Sequence, residues 1–300
     1  MQIIDTHVHL FDHLSAIRDG QPTRALRDGK IRIGNRSEQA LPPAFEKMES
    51  RAHTLLAYMD WCGVSKALLM PNPYYGYFND YFIESIEKYP EKLKGVALVD
   101  PLKGMDAAIE LQTIYDKTPL FGLKIEVLST FQCAPQKNIC SEELLPIFDC
   151  LNENHQPIFI HMLDQEDIGR VKKLSSRFPN ITWILCHLGA DSCFGKGYNL
   201  AAFEDLLTFC KSNEKVYLET SSVECFFNEE YPFSSSVKII EKAYHAVGAE
   251  KMMFGSDYPG TLMLGTMPQL IHMISQNCSE IPMSDREQIL SGTAKELFFH

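Results

Sequence analysis

Residues 2–9 read Gln2-Ile3-Ile4-Asp5-Thr6-His7-Val8-His9, a strand-like run over Gln2–Thr6 that passes directly into two histidines two positions apart. In an extended segment residues two apart face the same side, so both imidazoles leave the strand end together. Three later runs close in the same manner: Pro157–His161 ends at His161, Ile181–His187 at His187, and Lys251–Ser256 is followed by Asp257. Four more runs, Lys66–Met70, Lys94–Val99, Phe121–Val127 and Lys215–Thr220, bring the set to eight. They are nearly continuous in Ile, Val, Leu and Phe, the pattern of parallel strands buried on both faces.

Helical spacing fills the intervals. The segments are Thr54–Cys62, Asn79–Tyr89, Met105–Tyr115, a helix opening at Ser141, Glu166–Phe178, Leu200–Ser212, Ser235–Val247 and Met267–Ser275, then Ser284–Leu290 and Ala294–Phe298. Glu142 and Glu143 fall in the first turn after Ser141, where the helix dipole favours carboxylates. Strands alternating with helices predict an α/β fold, a single (β/α)8 TIM barrel over residues 1–300. The rival, a doubly wound open sheet, lacks a GxGxxG after its first strand. The stretch 11–46, broken by Pro22, Pro42 and Pro43, is too long for a plain βα loop. It is expected to form an irregular lid or pocket wall over the barrel.

Hydrophobic residues are 45% and charged residues 22%, ordinary for a soluble globular chain. A net charge of −11 argues against nucleic acid, with only a modest cluster at Arg18, Arg24, Arg27, Lys30, Arg32 and Arg36. Nine cysteines, with no CxxC, read as reduced thiols in a cytosolic protein rather than a disulfide framework or zinc knuckle. No signal peptide and no apolar run near the roughly 20 residues that span a bilayer is visible, so a cytoplasmic protein with no membrane partner is expected.

In a (β/α)8 barrel, active sites form at the C-terminal ends of the strands. Taken singly, a His-x-His pair, a histidine after a buried strand or an Asp after Gly-Ser has an ordinary core, surface or turn explanation. Their conjunction at four strand ends points to a metal site. Imidazoles with one carboxylate suit Zn²⁺, and also Mn²⁺, Fe²⁺ or Co²⁺. Asp257 is the natural proton shuttle for an activated water.

The string Ile3-Ile4-Asp5-Thr6-His7-Val8-His9-Leu10-Phe11-Asp12 resembles the opening of the amidohydrolase superfamily. More narrowly, it resembles the amidohydrolase-related branch that includes aminocarboxymuconate-semialdehyde decarboxylase. Tyr58–Ala67, Cys186-His187-Leu188-Gly189-Ala190, Phe254-Gly255-Ser256-Asp257-Tyr258-Pro259 and Gly292–Phe298 are similar to later signatures of that branch. The resemblance implies one divalent metal, most simply Zn²⁺, on His7, His9, His161 and Asp257, with His187 assisting proton transfer. It implies hydrolysis, hydration or nonoxidative decarboxylation, and a homodimer.

Lys124 and Glu126 face one side of the fourth strand. Either is able to bridge a second metal, as in binuclear members of the superfamily; an ion pair, or a substrate-carboxylate clamp by Lys124, is the preferred expectation. Asn72 and Tyr75, with Tyr74 and Tyr77, are expected near the pocket, and Arg51 as an anchor for an acidic substrate. Glu219, Thr220 and Ser221 are expected against substrate or behind the metal ligands. The leading expectation is a metal-dependent hydrolase of a small carboxylate-bearing substrate. A decarboxylase of an unsaturated or aromatic acid is the alternative, and a catalytically inert binding protein the third reading.

Overall fold

β1 (Ile3–Val8) is buried along its whole length, with neighbours on both sides. A computed structural model describes residues 2–162, 165–189, 199–227 and 229–299. In chain order the remaining strands are β2 (Ile17–Arg18), β3 (Gln21–Ala25), β4 (Lys30–Ile33), β5 (Arg36–Gln39), β6 (Val64–Leu69), β7 (Leu93–Ala97), β8 (Leu120–Glu126), β9 (Pro157–His161), β10 (Thr182–Leu185), β11 (Val216–Glu219) and β12 (Met252–Met253). The helices between them are α1 (Ala52–Cys62), α2 (Asn79–Lys88), α3 (Met105–Lys117), α4 (Val127–Phe131), α5 (Leu145–Glu153), α6 (Gln165–Arg177), α7 (Leu200–Ser212) and α8 (Ser234–Val247), followed by α9 (Met267–His272), α10 (Met283–Glu287) and α11 (Thr293–Phe298).

The large sheet runs β1-β6-β7-β8-β9-β10-β11-β12, and its pairs are parallel. It closes on itself beyond β12. Thr6 N donates to Phe254 O at 2.9 Å, Asp257 N to His7 O at 2.8 Å, and His9 N to Tyr258 O at 2.7 Å. The eight-stranded barrel expected from the apolar runs is therefore the observed fold. Two apolar layers hold it. Ile4, Leu68, Val96, Phe159, Ile184 and Met253 fill the lumen, and Ala294, Phe298 and Phe299 plug its N-terminal end. The larger layer lies between the barrel and its helices. With the lumen filled below, the chemistry is confined to the opposite mouth.

A bulge in β1 aims the histidines. Asp5 pairs with Ala67 and Val8 with Leu69, so β1 spends one residue more than β6 over this step. The extra residue breaks the period-two alternation. Ile4 thus points into the lumen core while His7 and His9, at odd positions, face the mouth. Asp5 Oδ1 stabilises the bulge by accepting from His7 N at 3.1 Å and from Ser256 N at 2.8 Å.

The 11–46 segment is not irregular. β2-β3-β4-β5 form an antiparallel meander. Arg18 pairs with Gln21 across Asp19-Gly20, and Ile33 with Arg36 across Gly34-Asn35. Asp19 and Gly20 have φ of 52° and 70°, the two positive angles that match a tight hairpin to strand twist. Ile31 and Ile33 are buried in the main core, whereas Lys30 and Arg32 face solvent. Gln132 just after α4 ties the meander down, donating to Ile17 O at 2.7 Å and accepting from Asp19 N at 2.9 Å. No helix among the described residues is long and apolar enough to cross a membrane. The described cysteines are free thiols; Cys193, Ala190 and His300 lie outside the described residues.

Candidate metal centre and active site

Four imidazoles gather at the mouth, and each is held by its Nδ1. His7 Nδ1 lies 2.8 and 3.0 Å from the Glu219 carboxylate oxygens. His9 Nδ1 donates to Met70 O at 2.6 Å. His161 Nδ1 lies 2.8 Å from Glu126 Oε1. His187 Nδ1 lies 3.0 Å from the Ser221 carbonyl and 2.8 Å from its hydroxyl. Tying one ring nitrogen to a carboxylate or carbonyl fixes ring orientation and tautomer, and is the usual support for a metal-ligating histidine. Gly255 makes the first of these ties feasible, because a Cβ there would stand 2.4 Å from Glu219 Oε1 and 2.8 Å from His7 Cβ.

Ligand atoms of His7, His9 and Asp257 all lie within 4.8 Å of one another. His9 Nε2 is 2.8 Å from Asp257 Oδ1, and His7 Nε2 is 3.7 Å from the same oxygen. Here the chemistry of the donors tests whether a cation fits. The Met70 carbonyl only accepts, so neutral His9 carries its proton on Nδ1 and turns a lone pair toward a carboxylate. Two lone pairs at that distance need a positive charge between them. His161 Nε2 is buried with no hydrogen-bond partner, a second donor atom facing the same mouth. The residues present therefore fit a divalent ion held by His7, His9 and Asp257. His161 stands outside that tight triad, although its ring lies 4.3 Å from that of His187, which is 5.1 Å from that of His7.

Electrostatics prepare the same donors. Burial, then the charge of Lys124, pushes His7 well below the usual imidazole range; burial, then His161, does so for His187. Neutral imidazoles are the metal-binding form. Burial works against the charge on Asp257, but the closeness of the His9 ring and of His7 and His187 holds it well below the usual carboxylate range. The Ser222 hydroxyl donates to Asp257 Oδ2. His187, Leu188, Ser222 and Asp257 all adopt positive φ, between 52° and 58°. Such backbone costs about 1–3 kcal/mol per residue and gathers at functional sites.

The amidohydrolase family model matches residues 4–299. This chain belongs to the amidohydrolase family. A probable 2-pyrone-4,6-dicarboxylic acid hydrolase from Acinetobacter baumannii, solved with citric acid bound, is similar in structure, with a TM-score of 0.73 at 17% identity over 100% of both chains. An amidohydrolase from Burkholderia multivorans with bound zinc gives 0.74 at 14% identity, over 99% of this chain and 98% of that one. The 5-carboxyvanillate decarboxylase of Sphingomonas paucimobilis gives 0.67 at 16%, over 99% and 98%. No curated protein matches the sequence.

The mouth of this amidohydrolase opens into a cavity of about 180 Å³, and Glu126, His161, His187, Asn72 and Asp257 line it. Other candidates fall outside the lining or are already engaged. Lys124 is fully buried below the cavity wall, 3.2 Å from Cys186 Sγ and 4.0 Å from Glu126 Oε2. Glu126 is occupied by His161, which lowers its carboxyl although burial opposes the charge. Tyr75 stacks on Phe11 with centroids 4.3 Å apart, and its neighbour Tyr74 takes the place on the wall. Arg51 lies outside the lining of this cavity. It is partly exposed, pairs with Glu49 at 2.9 Å, and sits in a separate groove with Phe45 and Tyr58. A helix-start arginine and a pocket arginine look alike in sequence; the position of the meander separates them.

Glu219 and Ser221 lie against Nδ1 of His7 and His187, whereas the Thr220 hydroxyl is buried without a partner. Arg18, Ser222 and Phe226 also line the cavity. In the sequence Arg18 is visible only as part of a basic cluster, and Ser222 as one more polar residue after a strand. His7, Cys186 and Glu219 form a further cluster of possible ligand atoms, but His7 Nδ1 and Glu219 are already joined there by hydrogen bonding.

Proposed function

We propose that this amidohydrolase is a metal-dependent hydrolase of a small carboxylate-bearing substrate. One observation carries the reading: four imidazoles, each held at Nδ1, gather at one mouth, where His9 and His7 lie 2.8 and 3.7 Å from Asp257. His7, His9 and Asp257 would hold one divalent ion, Zn²⁺ by preference, with His161 adjoining. When bound, such an ion lowers the pKa of water to roughly 7 and polarises an oxygen of the substrate. Asp257 accepts a proton from the attacking water and returns it to the leaving group, with the Ser222 hydroxyl fixing its Oδ2. His187, whose Nδ1 proton goes to the Ser221 carbonyl, keeps its Nε2 lone pair for the mouth, where it assists proton transfer. The dicarboxylic acid in the name of one structural relative supports an acidic substrate, and the zinc in another supports the metal.

Nonoxidative decarboxylation is the second reading, favoured by the decarboxylase among the structural relatives. The same cluster would hold the acid, and release of CO₂ without net uptake of water separates the two reactions. Asp257→Asn tests the shared core of both. Turnover on a panel of lactones, esters, amides and unsaturated acids is expected to fall by about 10²–10⁴, with metal content retained. Full activity in Asp257→Asn refutes the assignment.

A further inference from the structure

Arg18 reaches the mouth from the meander rather than from the barrel. Its guanidinium carbon lies 4.0 Å from the centroid of the Tyr74 ring, and Nη1 donates to Glu38 Oε1 at 2.5 Å. The side chain is only 25% exposed. It lines the cavity that His161, His187 and Asp257 also line, and among the described residues it is the one cation in that wall. The other buried cation nearby, Lys124, is committed to Cys186 and Glu126. The wall's two carboxylates are engaged as well, Glu126 by His161 and Asp257 by His9 and Ser222.

A guanidinium offers five N–H donors in a planar fork, and the bond to Glu38 uses one of its nitrogens. Stacking on Tyr74 removes rotamer freedom before any ligand arrives, which lowers the entropic cost of binding. A planar fork held in this way matches a carboxylate in bidentate fashion. One cation facing two carboxylates also matches a singly charged group better than a dianionic phosphate.

We infer that Arg18 is the specificity-determining residue of this site, holding a substrate carboxylate that is remote from the bond broken at the His7-His9-Asp257 cluster. The inference rests on the proposed reading of the mouth as the reaction site. It makes the meander part of the substrate pocket: the barrel supplies the reacting groups and the meander selects an acid of the right length.

Calorimetric binding to the zinc-loaded chain tests this with succinate, glutarate and isophthalate, each against its monomethyl ester. At least one diacid is expected to bind roughly tenfold or more tightly than its ester. Arg18→Met is expected to abolish that preference with zinc content and circular dichroism unchanged, and Arg18→Lys to keep part of it. Absence of a preference in every pair, or its survival in Arg18→Met, overturns the inference. A chain that binds no zinc yet keeps an Arg18-dependent preference for the diacid overturns the metal reading and leaves this inference standing.

Discussion

The barrel and the meander bury their residues in opposite ways. β1 is buried at all six positions and β12 at both of its positions. β4 instead alternates, with Ile31 and Ile33 inward and Lys30 and Arg32 outward, and β3 buries Thr23 alone. A parallel strand sandwiched between lumen and helices must be apolar on both faces, whereas an antiparallel ribbon lying on a surface needs only one. The barrel therefore devotes its few polar side chains to the mouth. The meander is free to carry charge, and one of its charges, Arg18, faces the same cavity.

Four substitutions probe that division. Ile31 is fully buried in the main core, so Ile31→Ala is expected to lower global stability by about 2–5 kcal/mol. A loss near zero in a denaturant titration would mean that the meander is a loose flap and not part of the cooperative unit. Glu219→Gln acts only on the barrel side. It weakens the grip on His7 Nδ1 and is expected to reduce metal affinity by about 10–100-fold. Competition against a chelator measures this, and unchanged affinity would detach Glu219 from the site.

The third probe is pH. Burial pushes the Glu224 carboxyl up to about 8 from its ordinary 4.5. The folded protein then keeps a proton that the unfolded chain has released, so this group's contribution to stability falls as pH rises from about 4.5 to about 8. Glu224→Gln is expected to flatten the thermal midpoint across that window; an unchanged slope would mean that Glu224 is charged in the fold. The smallest effect is expected at Arg51. Because it pairs with Glu49 away from the mouth, Arg51→Ala is expected to leave diacid affinity within about twofold, as for an exposed ion pair. A loss as large as that of Arg18→Met would return Arg51 to the site.

The candidate site was legible in proportion to how local its signals are. Strand-end histidines after apolar runs mark themselves, which is why His7, His9, His161, His187 and Asp257 emerged together. Arg18 and Arg51 carry no such mark, being single cations flanked by polar residues. The hairpins were encoded too, in Asp19-Gly20 and Gly34-Asn35, but proline and glycine breakers gave the same stretch the look of irregular loop. Glu219 is marked by its strand end as well, but which histidine it supports is not, because it lies 212 residues from His7 and meets it only through barrel closure.

The sequence by itself determined the eight strands, their mouth-facing donors and the family. Burial on both faces forces a continuous apolar run, and the residues just past a strand's C-terminal end are the ones a barrel presents at its mouth. Tertiary structure decided the rest. Closure of β12 onto β1 brought Asp257 against His9. A bulge after Asp5 turned His7 and His9 toward the mouth while Ile4 faced the lumen core. The seating of the meander chose Arg18 over Arg51 for the pocket wall. Each of these depends on contacts between segments far apart in the chain, whose energies no local pattern of residues records.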